Sequence, residues 1–393
     1  MRDAVICMPL RAAIAKEGGA LAPLLPEEFG GEVLRVVVAR SGIDPASVED
    51  VVVGNMFTPA RMGRHCGLLG GLPIEVPGVT ISRACSSGVQ AIVYAAQAIQ
   101  TGASDLLIAG GVESYTRAPY LLDKPGEAYQ RQPPKFISTE TRGDFGHPEL
   151  GMDTPMGMTA EHVAAKHGVS RGDQDAFALE SQRRAARALA EGCFTDEIVP
   201  IDVPRKGGVT RFAVDECPRA DTTAEALARL SPAFKKEGTV TAGNACKRAD
   251  GAAMMIVTTP ERALALGLRP MARLVASAQA GVHPNLMGMG PVPAVRKALL
   301  KAGLSIEQIE VIELNEAFAA QSVPVIRELG LDPARVNPNG GAIAFGHPTG
   351  ATGAILTTKL LHELARRQAR YGLVTMCVGG GMGFAAVFER LAV

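Results

Sequence analysis

The sequence predicts an α/β protein with a duplicated core and an irregular insert, and three observations predict it. Apolar runs rich in β-branched residues alternate with helical patterns. Two stretches far apart in the chain follow the same order of turn, strand and helix. Between them lies a Pro- and Gly-rich texture without steady periodicity.

In chain order, strands are predicted at Val51 to Val53 and Asp105 to Ala109, on either side of a helix over Ser86 to Gln100. Helices follow at Ala160 to Lys166 and Gly172 to Ala190, the second with Ser170 as N-cap and Asp173 three residues on. A strand at Met254 to Val257 and a helix at Val292 to Lys301 precede Ser305 and Gln308, which form a capping-box pattern. The chain then reads as a strand at Val311 to Leu314, helices at Gln321 to Glu328 and Ala351 to Arg367, and strands at Leu373 to Val378 and Ala385 to Glu389. Each strand lies near a Gly or Pro boundary.

The repeat is visible in SGIDPASVEDVVVGN (Ser41 to Asn55) against AGLSIEQIEVIELN (Ala302 to Asn315), and in SSGVQAIVYAAQAIQ against ATGAILTTKLLHELA. Gly42 pairs with Gly303 and Gly88 with Gly353, offsets of 261 and 265 residues, so order and spacing agree. A duplicated domain is the economical reading; the alternative is the strand–turn–helix grammar that all α/β proteins share. Ala118 to Met158 holds six prolines and five glycines, and a second irregular stretch runs from Val199 to Thr241. Loops this long in a compact protein are usually functional or disordered.

The 393 residues allow two or three domains. Forty basic residues balance forty acidic ones, which argues against nucleic acid or an anionic membrane as partner. From 118 to 247 there are seventeen Lys and Arg against nineteen Asp and Glu, so anion recognition there must be local. Seven cysteines, an odd number without a C-x-x-C pair, offer no disulfide or zinc framework and suit a reducing, cytoplasmic setting. No secretory signal is evident at the N-terminus, and the uncharged stretches 84 to 104, 274 to 295 and 336 to 358 are too polar or broken to span a membrane. With 44 glycines and no tryptophan, sites built from backbone are expected.

Four places carry candidate chemistry. Cys85, in SRACSSGVQAI, falls at a predicted helix N-terminus, where free N–H groups and the macrodipole favour a thiolate; a small buried cysteine is the plain alternative. His347 lies in the Gly-rich turn NPNGGAIAFGHPTGATG, where it is placed to deprotonate a thiol. Cys377, in TMCVGGGMG, ends a predicted strand ahead of glycine N–H groups that suit an oxyanion. In LNEAFA, at 314 to 319, Asn315 and Glu316 end a predicted strand among small residues. GGGMG does not fit a dinucleotide turn, because only ten residues follow Gly383 and they read as strand. No H-E-x-x-H, Walker loop, G-x-S-x-G elbow or metal-spaced carboxylate pair appears, so no metal site is expected.

Taken together, C-S-S-G at Cys85, AGGVES at 109 to 114, PMGMTAE at 155 to 161, TVTAGNA at 239 to 245, DGAA at 250 to 253, GPVPA at 290 to 294, NEAFA, GGAIAFGHPTGATG and CVGGGMG resemble the thiolase family over essentially the whole chain. The resemblance implies duplicated βαβαβαββ halves in a layered α/β/α/β/α core: 1–117 with 248–268 as the first half, 118–247 as a CoA-binding loop domain, and 269–393 as the second half. It implies thioester exchange through acyl-Cys85. His347 activates Cys85, Cys377 handles the proton of the acetyl-CoA enolate, and Asn315 holds a water beside His347. The N–H groups of Cys85 and Gly379 form a second oxyanion hole. Coenzyme A is the co-substrate and no cofactor is tightly bound. Arg219 is implied near the nucleotide, Phe234, Ala242, Gly243 and Cys246 along the pantetheine, and Met156, Met287 and Phe318 around the acyl group. A homodimer or homotetramer, and a complex with other β-oxidation enzymes, are further implications.

Three departures bear on substrate. TAGNAC carries Cys246 where the family usually has Ser, Pro155 replaces the His that biosynthetic enzymes carry before Met-Gly, and the N-terminal and C-S-S-G contexts are unusual. The resemblance with Pro155 favours degradative cleavage of a 3-ketoacyl-CoA. The alternatives are condensation of two acetyl-CoA, a carrier-protein-dependent ketoacyl synthase, which the second cysteine disfavours, and a non-catalytic CoA-binding subunit.

Overall fold

The computed structural model describes residues 2–57, 61–122, 129, 133, 136–138, 150 and 154–391. The first half contributes β1 (Val5–Ala12), α1 (Pro26–Ser41), β2 (Asp50–Gly54), α2 (Met62–Leu69), β3 (Gly78–Ile81), α3 (Ser87–Thr101) and β4 (Leu106–Ser114). After α4 (Met156–His167) and α5 (Arg171–Ala190) the chain returns as β5 (Ala249–Thr258). The second half is β6 (Pro270–Gly281), α6 (Pro291–Ala302), β7 (Val311–Leu314), α7 (Ala319–Leu329), α8 (Thr349–Arg367), β8 (Tyr371–Val378) and β9 (Met382–Arg390).

These strands join in the order β7-β8-β9-β6-β1-β5-β4-β2-β3. Outward from the antiparallel β1–β6 junction, each side runs antiparallel, antiparallel, then parallel. Beyond β2 the first half adds β3 in parallel; in the second half Val336 alone bridges Ile312 in parallel at that place. The sheet therefore repeats the duplication read from Gly42/Gly303 and Gly88/Gly353.

Three layers of helix pack on the sheet, each with its own large buried cluster. Helices α1 and α2 cover the outer face of the first half with Phe29, Val33, Val37 and Cys66. The outer face of the second half lies under Val295, Ala298 and Val325 of α6 and α7. Between the halves α3 and α8 pack on each other, and α8 is buried without a break from Thr349 to Leu361. A helix buried on every side must satisfy its own polar groups. Thr357 and Thr358 accordingly donate to Gly353 O and Ala354 O, and Lys359 reaches Glu313 Oε2 at 3.1 Å and Gly340 O at 2.7 Å.

The capping box of Ser170 and Asp173 forms as expected, and Ser305 with Gln308 caps a short 3₁₀ turn. Core elements absent from the predicted strands and helices include β1, α1, α2 and β6. The stretch from Val199 to Thr241 is more ordered than its composition suggests. It holds an antiparallel hairpin, Ile201–Arg205 with Gly208–Phe212, and a short helix at Ala224–Ala228. Of Ala118 to Met158, much lies outside the described residues; Tyr120–Leu122 pairs with Phe136–Ser138. Among the described residues no helix is long and apolar enough to cross a membrane.

Candidate active site

Cys85 and His347 each stand two residues before a central helix, α3 and α8 respectively. Ala84, just before the cysteine, has φ 45°, a left-handed conformation that costs an L-residue energy unless its surroundings impose it. They do so through serine side chains. Ser87 Oγ accepts from Arg83 N at 2.8 Å and donates to Ala84 O at 2.7 Å, while Ser86 Oγ donates to Arg83 O at 3.0 Å. The C-S-S-G pattern thus supplies the bonds that hold the turn.

The Cys85 sulfur receives hydrogen bonds from its own N–H and from that of Gly379, which lower its pKa, but burial pushes it up more strongly, and Glu113 adds to the rise. The expectation of a resting thiolate at the helix N-terminus is therefore corrected: without substrate Cys85 is a neutral thiol, because desolvation outweighs the N–H groups.

His347 is held by its backbone, with N donating to Lys247 O at 2.8 Å and a parallel bridge to Arg248. Its Nδ1 lies 2.7 Å from Thr352 Oγ1, and that hydroxyl donates its one proton to Pro348 O at 2.9 Å. Nδ1 must then be the donor, which leaves the lone pair on Nε2. Nε2 faces Asn315 Nδ2 at 3.4 Å. Burial holds the imidazole down to about 4, so it is neutral and basic at Nε2 near pH 7. Asn315 is buried at the end of β7, its N donating to Thr375 O at 2.9 Å.

Cys377 ends β8, opposite Gly383 of β9. Its thiol is raised well above the ordinary value by burial, then by the repulsion its thiolate would meet from thiolates at Cys85 and Cys246, and burial likewise pushes Cys246 up to about 12. The three thiols thus lie near one another, Cys377 buried and Cys85 and Cys246 partly exposed. The TAGNAC segment is sewn to NEAFA, with Cys246 N donating to Ala317 O at 3.0 Å, Ala319 N to Asn244 O at 2.8 Å, and Ala245 bridging Phe318.

Met287, Phe318 and Ala245 pack with Cys377 in one buried cluster. The Met156 sulfur is the nearest atom to the open side of Gly379, and Phe234 lies flat over Gly157 and edge-on to Phe318 with centroids 6.2 Å apart. Ala242 is exposed, and Gly243 N donates to Thr241 Oγ1 at 3.2 Å. Arg219 stands apart at the exposed edge of the insert, its backbone N held by Gln182 Oε1 at 2.8 Å. The sequence reading missed Thr352, which sets the tautomer of His347, and Glu113 and Tyr115, which abut the Cys85 region. For Thr352 the available signal was a hydroxyl one helical turn beyond the histidine turn; for Glu113, a charged residue in the otherwise uncharged AGGVES strand.

The sequence profiles of the thiolase N-terminal and C-terminal domains match residues 4–261 and 268–390. The chain belongs to the thiolase family. Thiolases are acyltransferases acting on acyl-CoA and CoA, and this thiolase is 45% identical to an acetyl-CoA acetyltransferase of Pseudomonas aeruginosa, over 99% of this chain and 100% of that protein. It is 47% identical, over all of both chains, to the 3-oxoadipyl-CoA/3-oxo-5,6-dehydrosuberyl-CoA thiolase of Escherichia coli. Over 99% of this chain and 100% of that protein, it is 44% identical to a 3-ketoacyl-CoA thiolase of Bacillus subtilis. The crystal structure of the Bacillus anthracis acetyl-CoA acetyltransferase superposes with a TM-score of 0.94 at 42% identity, covering 100% of this chain and 99% of that one.

Proposed function

We propose that this thiolase cleaves a 3-ketoacyl-CoA with free CoA, giving acetyl-CoA and a shortened acyl-CoA by way of acyl-Cys85. What supports the reading is a Cys85 thiol that takes a Gly379 N–H on its sulfur, a second, buried thiol at Cys377 whose charge interacts with that of Cys85, and a His347 whose lone pair is at Nε2, beside Asn315 Nδ2. Cys85 attacks the keto carbon as its proton passes to His347 Nε2. The C2–C3 bond breaks, and the acetyl-CoA enolate takes a proton from Cys377. CoA then attacks the acyl-Cys85 thioester, giving its thiol proton to the Cys377 thiolate, while Cys85 leaves and recovers its proton from His347. Donors are needed for the oxygen on the carbon attacked, which becomes tetrahedral, and for the acetyl-CoA oxygen, which carries the enolate charge. The N–H groups of Cys85 and Gly379 serve one, and His347 with a water on Asn315 serves the other.

Residues 118–247 act as the part of the chain that holds CoA. Arg219 lies toward the nucleotide, Phe234, Ala242, Gly243 and Cys246 lie along the pantetheine, and Met156, Met287 and Phe318 line the acyl pocket. Pro155 before Met156 supports the degradative direction. The reading is tested by incubating the protein with a panel of 3-ketoacyl-CoA substrates and mapping the added mass. Wild type is expected to gain an acyl group on the Cys85 peptide, Cys85→Ala none, and Cys377→Ala to keep some acylation while losing condensation. Wild type that remains unacylated would falsify the reading, and equal loss of both half-reactions in Cys377→Ala would remove the role given to that thiol.

A further inference from the structure

A second buried ionisable group beside Cys85 has no part in this chemistry. Glu113, fully buried near the end of β4, is a shared acceptor for both halves of the molecule. From the first half Asn55 Nδ2 donates to it at 3.1 Å, Met56 N at 2.9 Å and Phe57 N at 3.4 Å. From the second half Gly350 N donates at 3.0 Å and Thr349 Oγ1 at 3.3 Å. Thr349 and Gly350 open α8, two and three residues beyond His347. Thr349 also hydrogen-bonds the Tyr115 hydroxyl, and Tyr115 packs edge-on against Phe57 with centroids 4.8 Å apart.

The junction leaves no slack. A Cβ on Gly350 would lie 2.6 Å from Glu113 Oε2 and 2.7 Å from Asn55 Cα, and one on Gly111 would lie 2.6 Å from Gly350 O and 3.0 Å from Gly88 Cα. The starts of α3 and α8 approach each other at Gly111, while the Glu113 carboxylate ties the start of α8 to the Asn55–Phe57 segment, whose neighbour Gly54 lies against Ser87 and Gly88 at the start of α3. A carboxylate at the first turn of α8 also meets the N–H end of that helix dipole. An ordinary core position would hold an apolar residue, since a buried charge is retained only against a desolvation cost of several kcal/mol.

We propose that Glu113 is a positioning residue that fastens the start of α8, just after His347, to the Asn55–Phe57 segment packed beside the Cys85 helix start, and so sets the distance over which the proton is transferred. This rests on the thiolase reading above. Misplacement by about 1 Å at such a junction costs on the order of 10²-fold in rate.

The test uses the full-length protein, with single-turnover acylation of Cys85 and the pH profile of Cys85 alkylation by iodoacetamide as readouts. The titratable groups facing Glu113 are Cys85 from the turn before α3 and Tyr115 from the end of β4, with the Arg248 guanidinium on the far side of the Tyr115 ring. Glu113→Gln is expected to slow acylation on the order of 10²-fold, with Tm and the KM for CoA little changed, and to move the alkylation profile to lower pH because an anion near the thiol is gone. Glu113→Asp, which keeps the charge, is expected to recover part of the rate. Gly350→Ala keeps the carboxylate but forces the α8 start away, so acylation falls while the alkylation profile stays in place.

Wild-type acylation rates in Glu113→Gln or in Gly350→Ala overturn the proposal, as does loss of rate that tracks loss of Tm. If Glu113→Gln does not fold, Gly350→Ala and Thr349→Val decide the matter by the same rate criterion. A wild type that never acylates overturns the thiolase reading itself, which separates the two failures.

Discussion

At the scale of single residues, the site stores its protons on neutral groups. Burial pushes the Cys85 thiol up and holds the His347 imidazole down to about 4, so a preformed thiolate–imidazolium pair is disfavoured, and in the proposed reaction the proton moves as the C–S bond forms. The acid limb of single-turnover acylation is therefore expected near pH 4; a limb centred near the ordinary histidine value, about 6.5, would contradict this. The same shifts act on stability with opposite signs. His347, lowered from 6.5 to about 4, contributes stability that is present above pH 6.5 and is lost as pH falls toward 4. Glu113, raised by burial from 4.5 to about 7, contributes stability that is present below pH 4.5 and is lost as pH rises through 7. Cys85, His347, Cys377 and Asn315 were all singled out in the sequence because each stands in a short motif at the edge of an element. Nothing local marked the charge state of Cys85 or the tautomer of His347, since those depend on burial and on Thr352.

At the scale of elements, the contact between α3 and α8 sets how closely the two site turns approach. A Cβ on Gly88 would lie 2.8 Å from Ala354 N and 3.0 Å from Gly350 O, both backbone atoms that cannot swing aside. Gly88→Ala is expected to destabilise the protein by about 1–3 kcal/mol and to slow acylation, as measured by denaturant unfolding and single-turnover kinetics; wild-type stability would show that the helices can separate without cost. The elements missed in the sequence have identifiable reasons. In β1 the period-2 pattern is broken at Met8, with φ 49°, and the pairing with β5 shifts register between Cys7 and Leu10. Gly30 and Gly31 lower the helical signal of α1. They sit there because a Cβ would fall 2.8 Å from Cys66 Sγ and from Leu69 Cβ of α2, so tertiary packing overrides propensity. By contrast α3 and α8 are long and carry unbroken patterns, so they were legible.

At the scale of the whole molecule, the insert is tied to the core by a buried ion network. Arg11 of β1, fully buried, bonds Glu197 at 2.6 Å and Asp215 at 2.8 Å and 3.0 Å, and its guanidinium stands 5.1 Å from the Phe194 ring centroid. Removing one partner of such a network leaves charge buried without compensation. Arg11→Ala is expected to cost about 3–5 kcal/mol in chemical denaturation; a loss below about 1 kcal/mol would mean that the insert is held by other contacts. By itself the sequence determined the α/β class, the duplication and the candidate residues for chemistry, because hydrophobic period, repeat spacing and motif are local properties of the chain. Tertiary structure alone decided that Cys85 rests as a thiol, that His347 is basic at Nε2, and that Glu113 joins the halves. Those properties arise from desolvation and from bonds between residues such as Glu113 and Gly350, which are 237 positions apart in the chain.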